Sequence, residues 1–520
     1  MTRLFAMTLL ASLAGCAVGP KIERPDARVD LKRPYSGIAD AKTARNVDPG
    51  SPNPRILARW WRTLGDPVLD RLLDDALARN LDLDVARARL RQARAQRRVS
   101  RADRGPTLDA TGVAQRQRIS ENIIPTTPGG GGGMGGGAAT GGGATGGGAA
   151  GGGESGGGQA GGGFGAPGAE IDFFQASFDA RWELDLFGGT KRRVRAADAR
   201  VDAAELALAD VRVSLAAEFV RDYLVVRELQ TRLGIAARNL QASRRTAGII
   251  RERDRAGLAT GLDTARADAA VLSIRALVPQ FEVQLRQGMM RPAVLAGREP
   301  GAFLPDLERA QPLPTVPRRV MVGIPSELLR RRPDVRNAER NLAAATDEVG
   351  GAVADLYPSF TIDGSFGFQA DSLARLVDWG ARFYKLGLNI LAPIVDGGRR
   401  RATVELRRAE TDEALARYRQ AVLGGFQDVE DALVAFSRDQ DQLAFREQEA
   451  ALRARAVTLA QEQYRAGLVT TLNVLEAEQA LFAVQDQVGT VRGAIAADWV
   501  AVQKSLGGGW DPSAPEKTGL

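Results

Sequence analysis

From Arg399 to Leu506 the chain runs without a proline and is dominated by alanine, leucine, glutamate, glutamine and arginine. Local preference therefore points to helix throughout. One break interrupts it, Ala-Gly-Leu-Val-Thr at 466–470. There Gly467 supplies the left-handed residue that ends a helix, and Thr470 or Thr471 caps the next. Arg400 to Tyr464, at 1.5 Å per residue, makes a rod of roughly 100 Å. No compact core needs a helix of that length, so the chain has to be organised around rods that double back at a tip.

The same plan occurs earlier. Lys191 to Asp254 is a second proline-free helical run ending at a glycine break, and DRAGLATGLDTARADAAV (254–271) lies residue for residue against YRAGLVTTLNVLEAEQAL (464–481). LDLFGGTKRR (184–193) matches APIVDGGRRR (392–401), and the stretch 78–112 matches 330–364 with Pro106 on Pro358 and Asp82 on Asp334. A long internal repeat of this kind means one unit duplicated. Each half reads helix, strand, strand, very long helix, tip, return helix.

The strands carry the second constraint. Phe174, Ala176, Phe178, Ala180, Trp182, Leu184 and Leu186 alternate with polar residues. Phe360, Ile362, Phe366 and Phe368 do the same, as do Tyr384, Leu386, Leu388, Ile390 and Ile394, and a weaker strand spans about Thr107 to Gln115. A half-buried soluble sheet also alternates. Here, however, the helices are committed to rods, and lipid is the remaining cover for the apolar face. Four strands cannot close a barrel in lipid, where every edge must be paired. Oligomerisation is required; two chains give eight strands and an interior filled by side chains, three give twelve strands and an open lumen.

The ends and linkers are read more simply. MTRLFAMTLLASLAGCAVGP has one early positive charge and an apolar run too short to span a bilayer, the form of a signal peptide over 1–15. Cys16 is the only cysteine, so no disulfide forms within the chain. Residues 16–55 read as an extended tether rather than a packed element, and the first repeat occupies 56–290. Inside it, 128–168 is mostly Gly-Gly-Gly and builds no core. A phosphate-cradling loop would need a strand-to-helix setting and a lysine, both missing. A proline-punctuated connector (291–325) leads to the second repeat (326–506), with Ser326 as helix cap, and to a tail (507–520). A net charge of +7 and a pI near 9.8 come from arginines dispersed among carboxylates on long helices, which reads as solvated faces rather than a nucleic-acid surface. With no histidine in the chain, histidine triads and histidine-ligated metals are excluded, and no other catalytic spacing stands out; an enzyme is not expected.

Taken together, Leu-Ala-Gly-Cys at 13–16, WWRTLGDPVLDRLLDDALARNLDL, IPSELLRRRPDVRNAERNLAAATDEVGGAVADLYPSF, APIVDGGRRR and YRAGLVTTLNVLEAEQAL resemble the outer-membrane factor family, the TolC-like proteins. The resemblance is to the lipoprotein branch that serves resistance–nodulation–division efflux systems. It implies a mainly α protein with a membrane β-barrel: a homotrimer with a twelve-stranded β-barrel, a twelve-helix α-barrel extending into the periplasm, and an equatorial girdle. It implies Cys16 lipidated as the anchor in the outer membrane, no other cofactor and no metal. The partners it implies are a periplasmic membrane-fusion adaptor and an inner-membrane pump, and the function is a passive duct for drugs or other small molecules. A type I protein-secretion duct, or a structural coiled-coil lipoprotein, are the competing readings. The adaptor-contact tips would be Gly257, Leu258, Gly467 and Leu468. Positions matching the family's periplasmic gate are Asp263, Tyr464, Val469, Asn473 and Glu476. TolC itself has an arginine where Val469 stands and an aspartate where Asn473 stands; Glu476 leaves room for an acidic ring. Packing for Tyr464, and helix capping for Asp263 and Asn473, are the plainer alternatives.

Overall fold

The computed structural model describes residues 53–118, 170–323 and 325–512, together with Pro20, Tyr35, Thr43, residues 45–48, Gly50 and Ser120. Cys16, the signal segment 1–15, most of the tether, the glycine-rich loop 128–168 and the last eight residues lie outside the described residues. In chain order the elements are β1 (Val47–Asp48), α1 (Pro54–Leu57), a 3-10 turn (Trp60–Leu64), α2 (Pro67–Arg79), α3 (Leu81–Ala102), β2 (Thr107–Arg118), β3 (Glu170–Leu184), α4 (Gly189–Arg255), α5 (Gly261–Leu295), α6 (Leu304–Leu307), β4 (Val320–Met321), α7 (Pro325–Arg331), α8 (Pro333–Ala354), β5 (Ser359–Ala370), β6 (Arg382–Leu391), α9 (Arg399–Arg465) and α10 (Thr471–Ser505). They form a helical unit (1–102, 186–357, 393–520) and a sheet unit (103–185, 358–392).

The duplication is visible in the element lengths. α4 and α9 each have 67 residues, α5 and α10 each 35, α3 and α8 each 22, and β2 and β5 each 12. Both long helices start from a glycine in the left-handed region, Gly188 at φ +78° and Gly398 at φ +84°.

The main core of the helical unit lies where the short elements cross α4, α9 and α10. Trp60 meets Trp499 edge-on at 5.2 Å and Trp61 at 5.8 Å, and all three are almost fully buried beside Phe219, Tyr223 and Phe436. The tryptophan pair is packing. One polar network threads this core. Asp66 caps α2 by accepting from the amides of Val68 and Leu69, at 2.9 and 3.2 Å. Its other oxygen hydrogen-bonds the Tyr223 hydroxyl. Arg227, wholly buried, donates to Tyr223 Oη at 2.8 Å, Gln230 Oε1 at 2.8 Å and the Arg309 carbonyl at 3.0 Å, while Gln230 donates to the Leu307 carbonyl at 2.6 Å. The connector is thereby tied to α4.

Several expectations need correcting. The tether does hold a packed element: β1 pairs parallel with β4 of the connector, and Tyr35, Thr43 and Val47 are buried. The amide of Val320 and that of Val322 complete the bridge to the carbonyls of Asn46 and Asp48. The first helix is two, because Asn80 ends α2 and its side-chain oxygen accepts from the Leu83 amide to start α3. α5 continues through Pro279 and Pro292 to Leu295, so the connector begins later than 291. Ser326 lies inside α7 rather than capping it, since Pro325 takes the first helical position, where its missing N–H costs nothing. Ile394 falls beyond β6, which ends at Leu391.

The sheet unit is one antiparallel sheet in the order β2-β3-β5-β6. Its register places apolar residues side by side: Phe178 on Phe366 on Tyr384, and Trp182 on Ile362 on Leu388. This face is open, with Tyr384 84% and Leu386 80% exposed. The other face is polar; Ser177 and Ser365 both donate to Asp179, at 3.1 and 2.7 Å.

Candidate functional site

The two tips of the helical unit are built alike. At the first, α4 ends in a Schellman turn: Leu258 N–H donates to the Arg253 carbonyl at 2.8 Å and Gly257 N–H to that of Asp254 at 2.9 Å. Gly257 takes φ +71°. Thr260 then caps α5 in a reciprocal box, its own amide donating to Asp263 Oδ2 at 3.0 Å. The second tip repeats this. Leu468 N–H donates to Gln463 and Gly467 N–H to Tyr464, at 2.9 and 3.1 Å; Gly467 takes φ +76°; and the Thr470 amide and hydroxyl donate to Asn473 Oδ1, at 3.2 and 2.9 Å. Leu258 and Leu468 stand exposed at the two turns.

Asp263 and Asn473 therefore do cap helices. Asp263 also lies near the Thr471 hydroxyl of α10. The bonds from Thr260, and to a smaller extent the Thr471 hydroxyl, hold that carboxyl below its usual range. Tyr464 is buried, with Thr471 Oγ1 3.2 Å from its hydroxyl. Arg253, a residue the sequence reading did not single out, lies across Tyr464. Its guanidinium sits 4.6 Å from the ring centroid, and Nη1 donates to the Tyr464 carbonyl at 3.1 Å. Val469 packs on a small cluster of Ala247, Ile250, Ala267, Val474 and Leu475, while Glu476 is exposed and apart from these contacts. The structure thus brings Arg253, Asp263, Tyr464 and Thr471 together. The sequence offered Thr470 or Thr471 as the cap of α10, and the structure gives that role to Thr470; nothing in the pattern marked Arg253 among so many helical arginines.

Above this cluster the two helical pairs do not fill the space between them. A cavity of about 70 Å³ is lined by Ser243, Ala270, Ile274, Leu475, Phe482 and Glu478 among others. Among the described residues no helix is long and apolar enough to cross a membrane, and no group of acidic residues is arranged to hold a metal ion.

Residues 72–291 and 324–508 match the model of the family described as outer membrane efflux protein. The chain belongs to this family. It is 33% identical over 475 residues to the pyoverdine export outer membrane protein OpmQ of Pseudomonas aeruginosa, covering 91% of this chain and 92% of OpmQ. It is 30% identical to the outer membrane protein OprJ of the same organism, over 97% of this chain and 95% of OprJ. Among solved structures, the outer-membrane channel OprN superposes with a TM-score of 0.81 at 30% identity, covering 95% of this chain and all of OprN. The Campylobacter jejuni CmeC outer membrane channel shares the fold, with a TM-score of 0.79 at 21% identity and 96% of each chain covered. The chain is an outer-membrane component of an efflux system, of a family of ducts rather than enzymes, and the helical rods with a small sheet are the TolC-like architecture.

Proposed function

We propose that three copies of this outer membrane efflux protein form one passive duct, each giving four strands to a twelve-stranded barrel and its long helices to a twelve-helix periplasmic tunnel. The observation that carries this is the open apolar face of the sheet, with its rungs Phe178–Phe366–Tyr384 and Trp182–Ile362–Leu388 in register. Such a face needs lipid against it. β2 and β6 are the ends of the strand order, and edges in lipid need partners that only further copies supply. Cys16 would carry the lipid anchor. The tips at Gly257, Leu258, Gly467 and Leu468 would meet a periplasmic adaptor, in line with the exposure of both leucines. An inner-membrane pump of the resistance–nodulation–division type would drive transport. Asp263, Tyr464 and Thr471 would hold the tunnel closed at rest. Relatives are named for exporting pyoverdine, antibiotics or toluene, which supports small molecules as cargo.

The test is export in a host lacking its own channel. The chain expressed with its cognate pump should migrate as a cross-linked trimer in the outer membrane and restore expulsion of a fluorescent drug, and removing the pump should abolish expulsion. A monomeric product, or release of a polypeptide cargo in place of the drug, would reject this reading.

A further inference from the structure

Four side chains on α4 recur every seven residues: Arg232, Asn239, Thr246 and Arg253. Each reaches the second helical pair. Arg232 grips Asp486 with two parallel bonds, at 2.9 and 3.0 Å. Asn239 donates to Gln485 at 2.9 Å, and Thr246 to Glu478 at 2.6 Å. Arg253 donates to Tyr464, whose hydroxyl is 3.2 Å from Thr471. On α10 the facing residues Thr471, Glu478 and Gln485 are also seven apart, in antiparallel register with α4. A seven-residue period keeps one stripe of a helix against its neighbour, and polar residues in such a stripe fix register at some cost in stability.

We propose that these positions form a polar seam that sets the register between the α4/α5 pair and the α9/α10 pair, with Arg253 as the clasp that positions the two tips against each other. Each tip closes by its own backbone bonds and capping box, so neither needs the Arg253 side chain in order to fold. What Arg253 adds runs only between them. It projects from the last turn of α4 to a carbonyl in the last turn of α9, so one cation faces the negative ends of two helices. Its buried Nε has no hydrogen-bond partner among the described residues, a cost accepted where the ring and the carbonyl fix the group. The contact is made once. In the repeat Arg253 corresponds to Gln463 and Asp254 to Tyr464, so duplication left the cation on one hairpin and its receiver on the other. The cavity beside the Thr246 rung, lined by Glu478 and Ser243 among apolar neighbours, leaves a gap in the packing between the two pairs at that level.

The functional consequence rests on the gated duct proposed above; the seam itself does not. The experiment uses purified full-length protein, read by hydrogen exchange, by conductance in planar bilayers and by melting. R253M should leave trimer yield and melting temperature unchanged. It should quicken exchange of the Gly467 and Leu468 amides, on the other hairpin, by about tenfold, and raise resting conductance. R253K should recover part of the loss, and T246V, one rung higher, should quicken the same amides less. Unchanged exchange at Leu468 in R253M overturns the clasp, and so does loss of folded trimer in both Arg253 variants. An effect of R253M with none from T246V overturns the seam. If the unsubstituted protein already conducts fully at rest while R253M still quickens exchange, the gated reading falls and the clasp stands.

Discussion

Gly467 sits at φ +76°, and a Cβ built there meets nothing within 4 Å. A substitution at this residue therefore costs only backbone strain, about 1–2 kcal/mol. Gly467→Val should give normal amounts of trimer with reduced adaptor cross-linking and drug tolerance; absent trimer would make the glycine a folding residue alone. Asp498 on α10 is a different case. Burial, and then the facing carboxyl of Asp439 on α9, push it from an ordinary value near 3.8 up to about 7, and one of its oxygens is buried without a hydrogen-bond partner among the described residues. A pKa raised by folding means that the folded state holds this proton more tightly. The stability it lends is complete below about 4, falls as pH rises, and is gone once pH passes about 7. Asp498→Asn, which stays neutral, should raise the melting temperature more at pH 8 than at pH 5. Equal shifts at both would remove the proton from the account.

At the scale of elements, the short segments are held to the rods by side chains more than by backbone. Arg227 is the centre of that attachment, joining α4 to Arg309 of the connector, while its neighbours Tyr223 and Gln230 reach Asp66 and Leu307. Arg227→Met keeps the volume and strands several buried polar partners, a loss of about 3 kcal/mol. Thermal unfolding of the purified protein should move down, and trypsin should cut at Arg309 sooner; an intact connector would show that α6 holds unaided. None of this network was legible beforehand. Rods, tips and strands announce themselves by period and by glycine, which act within a few residues. The Asp66–Tyr223–Arg227 chain spans 161 positions and has no local signature. The strand Val47–Asp48 was missed for a similar reason, since two residues carry no period and take their structure from Val320 and Met321.

For the molecule as a whole, duplication was the most legible feature, because two copies of one pattern reinforce each other; the identical lengths of α4 and α9 follow from it. The asymmetries between the copies were hidden by the same likeness. Gly257 and Gly467 were expected and found, whereas Arg253 opposite Tyr464 is where the copies part. Geometry gives that small difference its weight. Some 27 residues separate Val226, the last apolar α4 residue of the main core, from Arg253, a lever arm of about 40 Å. A tilt of about 3° at the fulcrum moves the far end by about 2 Å, enough to break a hydrogen bond there while hardly disturbing the tryptophans around the pivot. A restraint at the end of a lever has the greatest mechanical advantage, so a single arginine at the tip can oppose a torque that the large core cannot feel.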